Sequence, residues 1–253
     1  MRLVFALIAL LTAPFAAAAE TDLHAPWDEL LQRYVSPHPD GVNRVDYALW
    51  RDTAEDRETL EAYIRALEVA APSAMAPDDA FAYWANLYNA VTIKVILDEA
   101  PERSIRQIRP RPWSIGPWGV SRVTVEGEAF SLDDIEHGVM RPRFEAALVH
   151  YAVNCASIGC PNLEPTAWRG EGLAERLDRA ARAYVNHPRG VTVTERGLVV
   201  SRIYRWFRED FGDSEAGVIA HVLAYAEPEL AAAINANRDI AGHAYDWALN
   251  QTE

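Results

Sequence analysis

The strongest pattern along the chain lies between residues 77 and 99. Apolar side chains at Phe81, Trp84, Leu87, Tyr88, Val91, Val95 and Ile96 recur at helical spacing and wrap most of the circumference. A helix that is apolar nearly all round is a central one. Asp78 and Asp79 sit in its first turn, where negative charge suits the helix dipole. Shorter helical patterns are predicted near 27–35, 53–69 and 172–186, and again near 202–210, 215–225 and 228–236. Alternation predicts a strand at 120–125 turning at Glu126-Gly127-Glu128, and a hairpin over 191–200 around Glu195-Arg196-Gly197. Residues 45–50 read as a short strand or turn.

Ser131 opens a further helix, with Asp134 completing an S-x-x-D cap and Pro142 ending it. The run 146–153 reads as a second strand that holds His150, and 245–250 as a short closing strand. No repeat, low-complexity tract or linker interrupts the chain. The pattern predicts a helix-rich α+β fold: a single domain in which the central apolar helix packs on a small antiparallel sheet.

The first residues change the picture of where this domain works. Arg2, an apolar run to Leu11 and Ala16-Ala17-Ala18-Ala19 have the form of a secretory signal peptide over residues 1–19. Cleavage there leaves one domain over 20–253, periplasmic or secreted. No stretch after Glu20 is long and apolar enough to span a membrane.

Charge narrows the partners. Twenty-four basic against 37 acidic residues give a net charge of −13, and loss of Arg2 with the leader makes it one more negative. That balance argues against nucleic acid and anionic lipid, and leaves a small molecule or peptide as the expected partner.

Two cysteines, Cys155 and Cys160, fall in one loop, 154–161. Outside the cytoplasm paired thiols tend to oxidise. Three uses stay open: a small structural disulfide, a catalytic thiol with its neighbour, or metal ligation. Metal is the weakest, because C-x4-C is looser than zinc ligand pairs and a mixed site with His137 and His150 would draw on three segments. No metal or other cofactor is expected.

A thiol enzyme needs a thiolate, an imidazole to deprotonate it and an orienting polar group. The types are present in Cys155, His150, His137, Glu136, Asn154, Asn86 and Asn89. If 150–155 is extended, about 16 Å separates His150 from Cys155, so the two pair only if the chain turns after Val153. Glu136 and His137 are neighbours, which point about 100° apart on an α-helix, so each must find partners elsewhere. Asn86 and Asn89 share a face of the central helix. The commoner use of buried amides is to bond backbone of an adjacent loop; the other is to line a cleft and donate to substrate. Trp84, Trp113, Trp118, Trp206 and Trp247 are expected in the core rather than on a sugar platform.

Four separated blocks, 81–90 around Trp84-Ala85-Asn86, 131–141 with Glu136-His137 and Arg141, 150–161 with Cys155 and Cys160, and 245–250, together resemble domain-of-unknown-function family 547 from about Trp27 to Asn250. The resemblance implies membership more than activity. It suggests by analogy a papain- or transglutaminase-like arrangement, in which a central helix abuts a sheet whose strand carries the histidine. The central helix here has no cysteine, which is a departure from that arrangement. Three functions follow as expectations. The first is a thiol-dependent hydrolase or acyl transferase acting on a peptide, amide or small thiol compound. In it Cys155 is the nucleophile, His150 the base, and Asn86 or Asn154 the orienting or oxyanion group. The second is a non-catalytic binding module with a Cys155–Cys160 disulfide. The third is a dithiol redox protein, which the absence of C-x2-C disfavours.

Overall fold

The computed structural model describes residues 22–252. The leader expected at 1–19 lies outside them. Among the described residues no helix is long and apolar enough to cross a membrane.

Helix α1 (Ala25–Tyr34) runs into a two-stranded ribbon of β1 (Val35–Ser36) and β2 (Arg44–Val45). Helices α2 (Tyr47–Asp52) and α3 (Ala54–Val69) follow, then α4 (Pro77–Glu99). Sixteen buried residues make α4 the axis of the larger core: every residue from Phe81 to Ile93 is buried, and Val95, Ile96 and Leu97 after them. Its C-terminus closes with Ala100 in the left-handed region. A hairpin of β3 (Val123–Val125) and β4 (Glu128–Phe130) turns at Glu126-Gly127.

Ser131 then starts a helical run, and its hydroxyl and amide exchange hydrogen bonds with Asp134 as the capping pattern predicts. Most of this run, Asp134–Met140, is a π-helix, and α5 (Arg141–Arg143) carries it past Pro142. The expected stop before Pro142 is therefore two residues early. Proline withholds only its own N–H, and Phe144 N–H still reaches Met140 C=O at 3.0 Å.

Residues Ala146–Ala152 form helix α6, not the expected strand. An eight-residue apolar run carries no period that separates buried strand from buried helix. Here the alanines and the packing of both faces decide for helix. Ala147 and Tyr151 face a second core, while Val149 and Ala152 face the first.

Helix α7 (Leu173–Val185) leads to β5 (Val191–Thr194) and β6 (Gly197–Ser201), which pair antiparallel. After α8 (Ile203–Trp206), a 3-10 turn at Arg208–Phe211, α9 (Glu215–Tyr225) and α10 (Pro228–Ala236), strand β7 (Ile240–Ala244) joins β6 in parallel. The fold is α+β and helix-rich. Its strands form three separate small sheets, and one of their pairings is parallel.

Residues 245–252 are a strap more than a strand. They make only isolated bridges, Ser157 to Leu249 and Val45 to Gln251. Backbone bonds along the strap reach Arg103, Ala156, Ile158, Gly159 and Val45, so it ties the ribbon, the loop after α4 and the cysteine loop together.

Candidate active site

A cavity of about 210 Å³ opens where α6, the π-helix, the cysteine loop, α8 and the strap meet. Cys155 and Cys160 form one side of it, Glu136, His137 and His150 another, and the rings of Trp118, Trp206, Phe207 and Trp247 much of the rest. Three of the tryptophans assigned to the core thus line a cleft. Trp84 is buried, and Trp113 is 77% exposed.

The cysteines are free thiols, and the expected disulfide is not formed. Both sulfurs lie 3.1 Å from the Tyr245 hydroxyl. Cys155 Sγ also meets Ser157 Oγ at 3.2 Å, and Cys155 N–H donates to Cys160 Sγ at 3.1 Å. Burial pushes both thiols up, but the donors converge on Cys160. The Cys155 thiol, Tyr245 O–H, Cys155 N–H and Ser157 O–H hold it down to about 7. Cys155, as the thiol donating to Cys160 and itself buried, stays well above its ordinary value. Tyr245 is likewise pushed up by burial and the neighbouring sulfurs, so it remains a donor.

No imidazole contacts either sulfur among the described residues. His150 is 3% exposed, and both its nitrogens face carboxylates: Nδ1 lies 3.4 Å from Glu136 Oε1 and Nε2 2.7 Å from Asp210 Oδ2. Nε2 is hydrogen-bonded to one carboxylate and Nδ1 stands at ion-pair distance from another, an arrangement that favours the protonated ring. Burial alone would lower it, but Asp210 and Glu136 outweigh burial and raise it above its ordinary value. Phe207 stacks on the ring at 4.3 Å. The role expected of His150, base to Cys155, is therefore corrected: its nitrogens are engaged and its proton is held.

Arg141 completes the cluster. Its Nε and Nη2 grip both oxygens of Asp210 at 2.5 and 2.9 Å, and Nη2 reaches Glu209 at 2.7 Å. Burial raises the Asp210 carboxyl, yet His150 and Arg141 hold it down to about 2. Glu136 is also below its ordinary value: burial opposes ionisation and His150 overrides it.

Glu136 and His137 both reach this cavity although they are adjacent, with Oε1 and Nδ1 4.0 Å apart. π-Helical segments of this kind are frequent at functional sites. Arginine has only donors, so His137 Nδ1 accepts from Arg141 at 3.4 Å. His137 stands at the mouth, its side chain 37% exposed, with Nε2 3.8 Å from Asp133.

The asparagines do not line the cavity. Asn86 bonds the backbone of Trp168, donating to its C=O and accepting from its N–H, both at 2.9 Å. Asn89 does the same for Ala152 C=O and Asn154 N–H at 2.9 and 2.8 Å. Asn154 braces its own loop through Pro161 C=O and Ala156 N–H. These three, candidates for oxyanion or orienting groups, serve the commoner use of buried amides: Asn89 and Asn154 fix the backbone beneath the thiols, and Asn86 fixes Trp168. Among the described residues no group of three or more His, Cys, Asp and Glu side chains is placed to hold a metal ion.

Sequence reading missed Asp210, Tyr245 and Ser157. Asp210 lies in an Arg-Glu-Asp run that reads as solvated surface. Tyr245 and Ser157 fall inside two of the four blocks that carry the family resemblance, which was the available signal, but nothing local gives either a role at the thiols. Gly159 shows how tightly the parts fit. A Cβ there would stand 2.9 Å from Asp246 N and O and from the Tyr245 ring. Gly159→Ala is expected to lower stability by about 1–3 kcal/mol in thermal unfolding, because the strap must move away from the thiols.

Neither a curated protein nor a solved structure matches the chain. The family model described as "Protein of unknown function, DUF547" matches residues 72–185. The match takes in α4, the π-helix, α6 and both cysteines, while Asp210 and Tyr245 lie beyond it. Residues 72–185 of this chain belong to the DUF547 family.

Proposed function

We propose that the cleft carries thiol-dependent acyl chemistry, hydrolysis or transfer, on a thioester or activated ester. The observation that carries this is the convergence of the Cys155 N–H and the Tyr245 O–H on Cys160 Sγ, beside a second thiol in an apolar-walled cavity. A thiolate is the nucleophile in such chemistry, and here hydrogen bonds rather than an imidazole supply it. Cys160, not Cys155, takes the nucleophile's role. Its sulfur attacks the acyl carbon, the bond to the leaving group breaks, and Cys155 S–H or Tyr245 O–H gives the leaving group its proton. Water then cleaves the Cys160 thioester: the acid leaves, the thiolate is restored, and the remaining proton returns to Cys155 or Tyr245. Without a base at sulfur, an acyl donor with a good leaving group suits the site better than a peptide or amide.

The likeness to papain- and transglutaminase-like enzymes supports this reading only in outline, since the histidine sits on a helix and is held as imidazolium. Action outside the cytoplasm, after loss of residues 1–19, belongs to the same proposal. A non-catalytic binding cleft is the competing outcome.

The test is the pH dependence of iodoacetamide alkylation on the native protein. A thiol held at about 7 is half ionised at pH 7, whereas one at 9.0 is about 1% ionised. The expected result is one fast phase with a midpoint near 7. At pH 7 about fifty times more of it is ionised than of an ordinary thiol, and the lower nucleophilicity of the less basic sulfur leaves a several-fold faster rate. Cys160→Ser abolishes the phase, and Cys155→Ser keeps it with a shifted midpoint. If neither thiol reacts before unfolding, the enzyme reading fails and the binding cleft stands.

A further inference from the structure

The loop between α4 and β3 breaks the charge pattern of the chain. Residues 100–118 hold Arg103, Arg106, Arg109 and Arg111, all exposed, with Glu102 the single acid among them. Elsewhere eight arginines among the described residues, Arg33, Arg44 and Arg57 among them, face carboxylates. The four on this loop form no ion pair among the described residues. Arg106 instead lies over Trp247 at 5.1 Å. After the arginines come Trp113 and Ile115, 77% and 67% exposed, the largest pair of neighbouring apolar side chains left in solvent.

The loop is held in shape. Pro110, Pro112 and Pro117 fix the chain, and Gly116 has φ +155° with Trp118 folded against it, so that a Cβ would fall 1.9 Å from the ring. Trp118 is itself a wall of the cleft, packed 5.8 Å from Trp247. The exposed tip is thus fastened to the rim of the cavity.

We propose that residues 103–115 dock on an anionic lipid bilayer and seat the mouth of the cleft at its surface. Arginines attract anionic headgroups while tryptophan and isoleucine enter the interface. A net charge of −13 does not forbid this. Charges are screened over about 8 Å at physiological ionic strength, so the local patch governs contact. The expectation that overall acidity excludes anionic lipid is set aside for this surface. A bilayer fits better than an acidic protein because two projecting apolar side chains follow directly on the arginines, which matches an apolar interface beneath anionic headgroups. The inference goes beyond the acyl chemistry of the cleft and does not depend on it.

The experiment is co-sedimentation of the native protein with vesicles of equal parts phosphatidylcholine and phosphatidylglycerol, against phosphatidylcholine alone. Binding is expected to the mixed vesicles only, and to weaken with salt. Each arginine charge lost is expected to weaken it about fivefold, so Arg109→Glu/Arg111→Glu weakens it at least twenty-five-fold. Trp113→Ala weakens it without changing the salt dependence. All variants keep native thiol alkylation, which separates failure here from failure of the cleft reading. The proposal is overturned if the native protein ignores anionic vesicles or if both variants bind as it does. It is also overturned if polyglutamate binds as well as the vesicles, or if the double variant changes the oligomeric state, since a protein partner would then own the loop.

Discussion

Asp210→Asn is expected to lower stability by about 3–5 kcal/mol, measured by urea unfolding at neutral pH. One carboxylate oxygen serves His150 Nε2 and Arg141 Nε together, and the other takes Arg141 Nη2. Asp210 and His150 are 9% and 3% exposed. The amide keeps the shape, cancels the charge and turns a donor toward two donors. A buried imidazolium and a largely buried guanidinium then lose their shared partner. The control is Glu209→Gln. Glu209 also meets Arg141, at 2.7 Å, but is 62% exposed. Its removal is expected to cost under about 1 kcal/mol. Equal losses in the two variants would mean that the buried cluster contributes no more than an exposed ion pair.

The same cluster sets a pH window. Asp210 titrates at about 2 in the folded chain against an ordinary 3.8, so its stabilisation is present above 3.8 and lost as pH falls toward 2. Glu136 is lowered from 4.5 and acts in the same direction. His150 is raised from 6.5, so its contribution is complete below 6.5 and lost as pH rises through the raised value. The three overlap fully between about 4.5 and 6.5. In Asp210→Asn the acid limb of the stability profile flattens.

What the sequence made legible follows from the range of the forces involved. The bounds of the central helix, the Ser131 cap and the 191–200 hairpin are written in local periodicity and local hydrogen bonding, and the structure has them in place. The segment 146–153 has no such signal. Its state is set by two cores on opposite sides, and reading it as a strand carried His150 to the wrong kind of element. The site itself is built by contacts of long sequence separation. Asp210 lies 60 residues from His150, and Tyr245 lies 90 from Cys155. Neither has a partner within a turn of itself that would single it out. The residue types of the site, Cys, His and Glu, were visible; which histidine stands between carboxylates and on which sulfur the donors meet needed the partners.

Asn89→Leu tests whether the paired asparagines position backbone or act on substrate. The leucine preserves bulk and apolar contact on α4 but removes the bonds to Ala152 C=O and Asn154 N–H. Ala152 C=O keeps a second partner, the Trp168 indole N–H at 3.2 Å, so the cost falls mainly on the buried Asn154 N–H. An orphaned buried donor costs about 1–3 kcal/mol, and loss of the other bond adds about 1 kcal/mol, giving an expected destabilisation near 3 kcal/mol. Asn154 leads directly into Cys155, so the anchor lost is the one under the thiols. The midpoint of thiol alkylation is therefore expected to rise in Asn89→Leu, as Cys155 N–H drifts from Cys160 Sγ. Asn86→Leu is the matched control: it orphans the Trp168 backbone, costs a comparable amount, and leaves the alkylation midpoint in place. A group acting on substrate would behave differently, with turnover lost while stability and the thiol midpoint stay at their native values, and that outcome would return Asn89 to the reacting groups of the cleft.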